Sequence, residues 1–235
     1  MTIALIIAGG VGSRMGSQLP KQFIKVYSKP VLIYTLEGFQ KHSRIDKIVC
    51  VCLKGWEERL REMAVQYGIS KLDLIVTGGE TGQESIRNGV FELQGRCAQD
   101  DMIVIHDGIR PMVEESVLDD VIDVCRRHGN AVTSMPYNEQ IFTIDESEPM
   151  TTTRYIPRET LRRVSTPQAY RYGSLLDAYK KAFSKRIGIY GSSYTNTMMV
   201  DLGFRLHFAK GSDKNIKLTT PDDLELFKGY LKSKS

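Results

Sequence analysis

The chain has 235 residues, 41% hydrophobic and 26% charged, an ordinary globular balance and length enough for one large α/β domain over 1–235. Its 32 Lys and Arg against 28 Asp and Glu leave a net charge of +4. These charges are interspersed, which excludes a basic nucleic-acid stripe and suits a modestly positive pocket for an anionic substrate. No run approaches the roughly 18 apolar residues of a bilayer span, and Met1 leads straight into a strand without a basic flank or cleavage site, so a cytoplasmic protein with no membrane partner is expected. Cys50, Cys52, Cys97 and Cys125 lack C-x-x-C spacing and read as free thiols, the first two on one face of a strand.

In chain order, Ile3 to Ile7 reads as a buried parallel strand that ends in a glycine loop, Ala8-Gly9-Gly10-Val11-Gly12-Ser13-Arg14-Met15-Gly16. Without a Cβ, Gly9, Gly10 and Gly12 let backbone N–H groups line a concave anion site. Arg14 and Lys21, the latter stiffened by Pro20, bring two cations to the same mouth, as a nucleoside triphosphate would require. The loop is not a P-loop, because Ser13-Arg14 follows Gly12. Met15 stands where a dinucleotide fingerprint needs its third glycine, which disfavours a Rossmann dehydrogenase.

Pro30 to Phe39 has helical spacing with Pro30 in the first turn. Lys47 to Leu53 is a second strand, Trp56 to Tyr67 an amphipathic helix capped at Gly68, and Leu72 to Thr77 a third strand. That strand opens into Gly78-Gly79-Glu80-Thr81-Gly82-Gln83-Glu84-Ser85, with a helix from about Ser85 to Leu93. Met102 to His106 is a fourth strand ending in Asp107-Gly108-Ile109-Arg110-Pro111. A helix over Ser116 to His128, stopped by Gly129-Asn130, precedes a strand over Ala131 to Met135. The alternation predicts a mostly parallel twisted sheet with helices on both faces. The loops 8–16, 78–85 and 107–111 then meet at the carboxyl edge, which argues for one active site.

From Tyr137 to Thr166 the pattern changes to a hairpin-like excursion: Glu139 to Asp145 alternates, Glu146 to Met150 turns, and Thr151 to Ile156 returns. An excursion of about thirty residues is either a covering loop or an arm toward a second subunit. Tyr170 to Phe183 and Tyr194 to Leu202 then read as helices, Arg205 to Ala209 as a strand, and Asp222 to Leu231 as a last helix with Thr220 as N-cap and Pro221 at its first position.

Among candidate site residues, Asp107 suits a Mg²⁺ or a ribose hydroxyl, or alternatively a structural pair with Arg110. His106 reads as structural. Gly79, Glu80 and Ser85 stand where a nucleobase edge would be met, and Lys217 lies in the loop before the last helix. Arg158, Arg162 and Arg163 cluster after the arm with Thr166-Pro167-Gln168, and an arginine fork suits phosphate.

Taken as a set, Ala8-Gly9-Gly10-x-Gly12-x-Arg14-Met15 with Pro20-Lys21-Gln22 resembles the sugar-phosphate nucleotidyltransferases, and among them the cytidylyltransferases acting on methylerythritol phosphate or ribitol phosphate. The resemblance runs the length of the chain. It implies a Rossmann-like nucleotidyltransferase domain in which Ala8, Gly9, Gly10 and Gly12 wrap the CTP phosphates and Arg14, Lys21 and Lys217 are the catalytic cations. Gly79, Glu80 and Ser85 would read cytosine, Asp107 and Gly108 would contact ribose, and Mg²⁺ or another divalent cation would assist, with Asp107 as its possible ligand. Arg110, Glu139, Gln140, Arg158 and Ser193 fall on the acceptor side. The arm at about 137–165 would interlock a homodimer and bring Arg158 into the partner's site.

Two stretches depart from the family pattern. Glu139-Gln140 replaces an Asp-Thr pair at the arm entrance, and Ser193-Tyr194-Thr195-Asn196-Thr197 replaces a Thr-Asp-Glu/Asp-Ala stretch. Both are on the acceptor side. The expected activity is therefore transfer of CMP from CTP to an alditol phosphate such as ribitol 5-phosphate, giving CDP-alditols for capsule or teichoic-acid polymers. Methylerythritol phosphate is the alternative acceptor, and a non-catalytic CTP-binding protein is the alternative from another class.

Overall fold

The computed structural model describes residues 1–10, 19–191 and 194–233. The elements in order are β1 (Thr2–Ala8), a 3-10 turn over Lys21–Phe23, β2 (Lys25–Val26), β3 (Lys29–Pro30), α1 (Val31–Lys41), β4 (Lys47–Cys52), α2 (Glu57–Gln66), β5 (Leu72–Thr77), α3 (Gly82–Glu92), β6 (Met102–Asp107), α4 (Glu115–His128) and β7 (Asn130–Pro136). There follow β8 (Ile141–Thr143), β9 (Arg154–Ile156), a 3-10 turn over Arg158–Thr160, β10 (Arg162–Arg171), α5 (Tyr172–Lys185), α6 (Thr195–Asp201), β11 (Phe208–Lys210) and α7 (Pro221–Lys232).

Seven strands form one sheet in the order β11-β7-β10-β6-β1-β4-β5. All run the same way except β10, which is antiparallel to both β6 and β7. The expected mostly parallel α/β sheet is therefore present.

Period-2 alternation sends the side chains of each strand to two separate cores. On one face Ala4, Ile6 and Ala8 pack with Cys50 and Cys52 under α1, α2 and α4. On the other, Ile3, Leu5, Val49 and Val51 pack under α3, α5 and α6. Leu5 is fully buried, and burial of such a side chain is worth roughly 1.5–3 kcal/mol. The small residue Gly89 lets α3 approach the sheet, for a Cβ there would stand 2.7 Å from Leu5 Cδ1 and 2.8 Å from Val51 Cγ2.

The helix ends follow the sequence signals. Gly129 closes α4 with φ +85°, Gly68 follows α2 with φ +67°, and Thr220 caps α7 by accepting from the Asp223 N–H at 3.3 Å. Cys50 and Cys52 are buried free thiols on one face, as expected.

Three readings need correction. The stretch over 162–171 is not the tail of an excursion followed by a helix from Tyr170. It is the longest strand of the sheet, and the helix begins at Tyr172. Charged residues and Pro167 disguise it, since proline is excluded from regular central strands. Here Pro167 falls where the register shifts between Ser165 and Gln168. The late strand is Phe208–Lys210 rather than 205–209, and Lys25–Pro30 forms a small hairpin the pattern did not announce. The projecting hairpin itself is reduced to β8 and β9.

Candidate active site

At the carboxyl edge of the sheet, the ends of β1, β5 and β6 surround a cavity of about 460 Å³. Ala8, Gly9, Gly10, Lys21, Gly79, Glu80, Ser85, Asp107 and Lys217 all line it. Loops that lie far apart in sequence thus converge as the strand ends predict. Gly12, Arg14 and Ser193 lie outside the described residues.

The first wall is built from glycines and braced by side chains. Ser85 Oγ accepts from the Gly79 N–H at 3.0 Å, and a Cβ on Gly9 would stand 3.1 Å from that same oxygen. Gly78 donates to the Cys52 carbonyl at 2.7 Å, which ties this loop to the end of β4. Helix α3 starts in a capping box: Thr81 Oγ1 accepts from the Glu84 N–H at 3.1 Å and the Glu84 carboxylate accepts from the Thr81 N–H at 3.2 Å. Its N-terminal turn, with the positive end of the helix dipole, faces the cavity through Gly82 and Gln83.

Lys21 is placed by its neighbours. Gln22 Nε2 donates to the Ala8 carbonyl at 2.7 Å, and the Phe23 ring stacks on Trp56 with centroids 4.3 Å apart. The 3-10 turn over Lys21–Phe23 is thereby clamped to the end of β1, beside Gly10. Gln22, part of the Pro20-Lys21-Gln22 motif, thus anchors the turn that carries Lys21.

The second wall centres on Asp107. Its carboxylate accepts from Lys217 Nζ at 3.2 Å and from Arg110 Nε at 2.9 Å, and its backbone N–H donates to Thr166 Oγ1 at 3.1 Å. Burial alone would raise the Asp107 pKa, but Lys217 and then Arg110 outweigh it and hold the carboxyl near about 2. The side chain is an anion across the neutral range. The register shift in β10 brings Thr166 and Gln168 into this wall, and Tyr194 and Thr195 at the start of α6 complete it. Beneath Asp107, burial lowers the His106 pKa to about 4, and its Nε2 donates to the Arg110 carbonyl at 3.0 Å. His106 is structural, as read.

Other sequence candidates fall outside the cavity lining. Gly108 is engaged by the scaffold, its N–H donating to the Ile7 carbonyl at 2.8 Å and its carbonyl accepting from Thr35 Oγ1 at 2.9 Å. Its N–H is thereby committed to the scaffold, and the tight packing against Leu32 and β1 explains the glycine. Arg110 is held by Asp107 and by the Asn215 carbonyl, at 2.7 Å from Nη1. The structural alternative for the Asp107–Arg110 pair is therefore real, although Asp107 still lines the cavity.

Gln140 and Arg158 share a separate concave surface on the arm, and Arg158 Nη1 donates to the Asn138 carbonyl at 3.2 Å. Glu139 is exposed on the same excursion. Within one chain these residues are not brought to the cavity. Arg163 pairs with Asp213 instead. A group of His42, Glu115 and Asp119 also lies elsewhere, with Arg44 already bonded to Asp119 at 3.2 Å.

A glycine-lined wall with a lysine at its mouth, facing a polar wall with a second lysine, is the layout of a nucleotidyltransferase, and comparison with known proteins agrees. Residues 2–233 match the family described as IspD, 2-C-methyl-D-erythritol 4-phosphate cytidylyltransferase, and the chain belongs to that family. It is 58% identical over 234 residues to the ribitol-5-phosphate cytidylyltransferase of Lacticaseibacillus paracasei, covering 100% of this chain and 99% of that one. Over 233 residues it is 35% identical to the ribitol-5-phosphate cytidylyltransferase of Vibrio parahaemolyticus serotype O3:K6, covering 98% and 96%. In fold it is similar to the 4-diphosphocytidyl-2C-methyl-D-erythritol synthase of Anaerococcus prevotii, with a TM-score of 0.82 at 24% identity, covering 98% of this chain and 96% of that one.

Proposed function

We propose that the protein, as one nucleotidyltransferase domain, transfers CMP from CTP to ribitol 5-phosphate or a closely related alditol phosphate, giving a CDP-alditol and pyrophosphate in the cytoplasm. The 58% identity over the whole chain to a ribitol-5-phosphate cytidylyltransferase carries the choice of acceptor. The two-walled cavity supplies the chemistry.

The acceptor's phosphate oxygen attacks the α-phosphorus of CTP in line, and pyrophosphate leaves. That oxygen is already anionic, so the reaction needs no protein nucleophile or general base, and among the described residues the cavity lining holds no cysteine or histidine. The protein's part is positioning and charge neutralisation. The N–H groups of Ala8, Gly9, Gly10 and Gly12 cradle phosphate, while Lys21 and Arg14 neutralise charge on the transferred and leaving phosphates. Gly79, Glu80 and Ser85 face cytosine. Lys217, beside Asp107, meets phosphate between the walls. Asp107 also fits a Mg²⁺, which needs only one or two protein carboxylates and completes its shell from phosphate oxygens and water. When bound, the ion would withdraw charge from the triphosphate.

The arm supports a homodimer. Phe142 is 55% exposed, Ile144 70% and Tyr155 69%, an apolar surface that a second copy would cover. Crossing over, the arm would carry Arg158, Glu139 and Gln140 toward the partner's acceptor wall with Arg110. Mass measurement by light scattering is expected to give a dimer, and Tyr155→Arg to shift it toward monomer with a raised KM for the acceptor. A wild-type monomer that turns over normally would refute this assembly.

The activity is tested by incubation with CTP, Mg²⁺ and separate acceptors, with pyrophosphate as the readout. Ribitol 5-phosphate is expected to turn over at least tenfold faster than methylerythritol phosphate. The reverse ranking would assign the isoprenoid reaction, and CTP binding without turnover on any acceptor would favour a binding protein.

A further inference from the structure

Under the cavity a buried hydrogen-bond chain links α3, α5 and α6, and its direction can be deduced. Gln83 Nε2 donates to the Gly188 carbonyl at 2.8 Å. A carbonyl only accepts, so the amide cannot be flipped, and Gln83 Oε1 must be the atom facing Tyr179. The Tyr179 hydroxyl lies 2.9 Å from that oxygen and gives it its single proton. Thr195 Oγ1 lies 2.8 Å from the same phenol oxygen. With the Tyr179 proton committed, Thr195 is the donor in this pair. Its only hydroxyl proton points inward, and lone pairs alone remain for the cavity that Thr195 lines.

The three side chains are 4%, 0% and 2% exposed, so solvent has little access to reverse the chain. Burial pushes the Tyr179 phenol pKa up, which keeps its proton in place. Thr195 stands beside Tyr194 at the start of α6, on the wall that also carries Lys217, Thr166 and Gln168.

We propose that Tyr179 is a positioning residue that makes Thr195 an acceptor-only contact, one that takes a hydroxyl proton of the polyol and turns away a carbonyl oxygen. The inference rests on the acceptor being a polyol phosphate. It names a basis for selecting a reduced sugar phosphate over its keto counterpart: a hydroxyl can donate to Thr195, whereas a ketone offers only lone pairs to lone pairs. A buried polar group left without its complement is the source of strong discrimination in such sites.

The test compares ribitol 5-phosphate with ribulose 5-phosphate as acceptors for wild type, Thr195→Val, Thr195→Ser and Tyr179→Phe, with KM for CTP and thermal melting measured alongside. Thr195→Val is expected to raise the KM for ribitol 5-phosphate about tenfold while KM for CTP stays within twofold, and Thr195→Ser to restore it. Tyr179→Phe frees the Thr195 proton, so the preference for ribitol over ribulose 5-phosphate should narrow about tenfold even where the fold is intact. An unchanged preference in Tyr179→Phe overturns the proposal, as does a Thr195→Val effect on CTP alone or equally on both substrates. A wild type inactive on ribitol 5-phosphate overturns the functional reading itself, and that outcome is visible before any variant is made.

Discussion

Lys21→Ala is expected to lower kcat by at least 10²–10³, the usual cost of deleting one preorganised electrostatic group, while the protein melts within a few degrees of wild type. Both halves of this expectation follow from position. Lys21 sits at the cavity mouth, on a 3-10 turn held by Gln22 on the Ala8 carbonyl and by the Phe23–Trp56 stack. Those anchors are its neighbours' side chains, so removing the ammonium leaves the turn clamped. What disappears, on the proposed mechanism, is positive charge where the α-phosphorus would gain negative charge and pyrophosphate would depart. Pyrophosphate release under saturating CTP and acceptor measures the effect, and a rate near wild type would rule out the assigned mechanism.

Lys217→Ala is expected to lower kcat about 10²-fold and to leave a second signature in acid stability. In the wild type the folded Asp107 pKa is near about 2, below the ordinary value of 3.8, because Lys217 and Arg110 outweigh burial. A depressed carboxylate pKa contributes stability above the unfolded value, and the contribution is lost as pH falls from about 4 to about 2. Its size is on the order of 2 kcal/mol. Without Lys217, burial is opposed mainly by Arg110 and the folded pKa rises. The variant should therefore be less stable at pH 7, and it should lose less on acidification than wild type. Urea unfolding at pH 7 and pH 3 reads both. Equal acid sensitivity in the two proteins would show that the Lys217–Asp107 contact of 3.2 Å carries no stabilising charge interaction.

The glycine wall was legible because it is local in sequence. A short apolar strand, glycines without a Cβ and a following cation occupy consecutive positions, and alternating strands and helices force such loops to one edge. The wall around Asp107 was not legible in the same way. Thr166 and Gln168 enter it only because β10 joins the sheet in the antiparallel sense, and that strand carries a proline and several charges that mask its pattern. Gln83, Tyr179 and Thr195 are separated by 96 and 16 positions, so no periodicity links them. Gly108 and Arg110 stand beside Asp107 in the sequence, but neither lines the cavity: the Gly108 N–H and carbonyl bond to β1 and α1, and Arg110 Nε and Nη1 bond to Asp107 and the Asn215 carbonyl in the loop before α7.

The reversed direction of β10 has one more consequence. Because that strand returns from the arm and runs down the side of β6, the residues from 137 to 171 form one continuous ribbon from the projecting hairpin to the cavity wall that holds Thr166 and Gln168. The glycine loops that line the opposite wall are encoded before it, within the first 110 positions. On the proposed assignment, that ribbon carries Glu139, Gln140, Arg158, Thr166 and Gln168 as one contiguous stretch, so part of the acceptor contacts can change without disturbing the glycine loops.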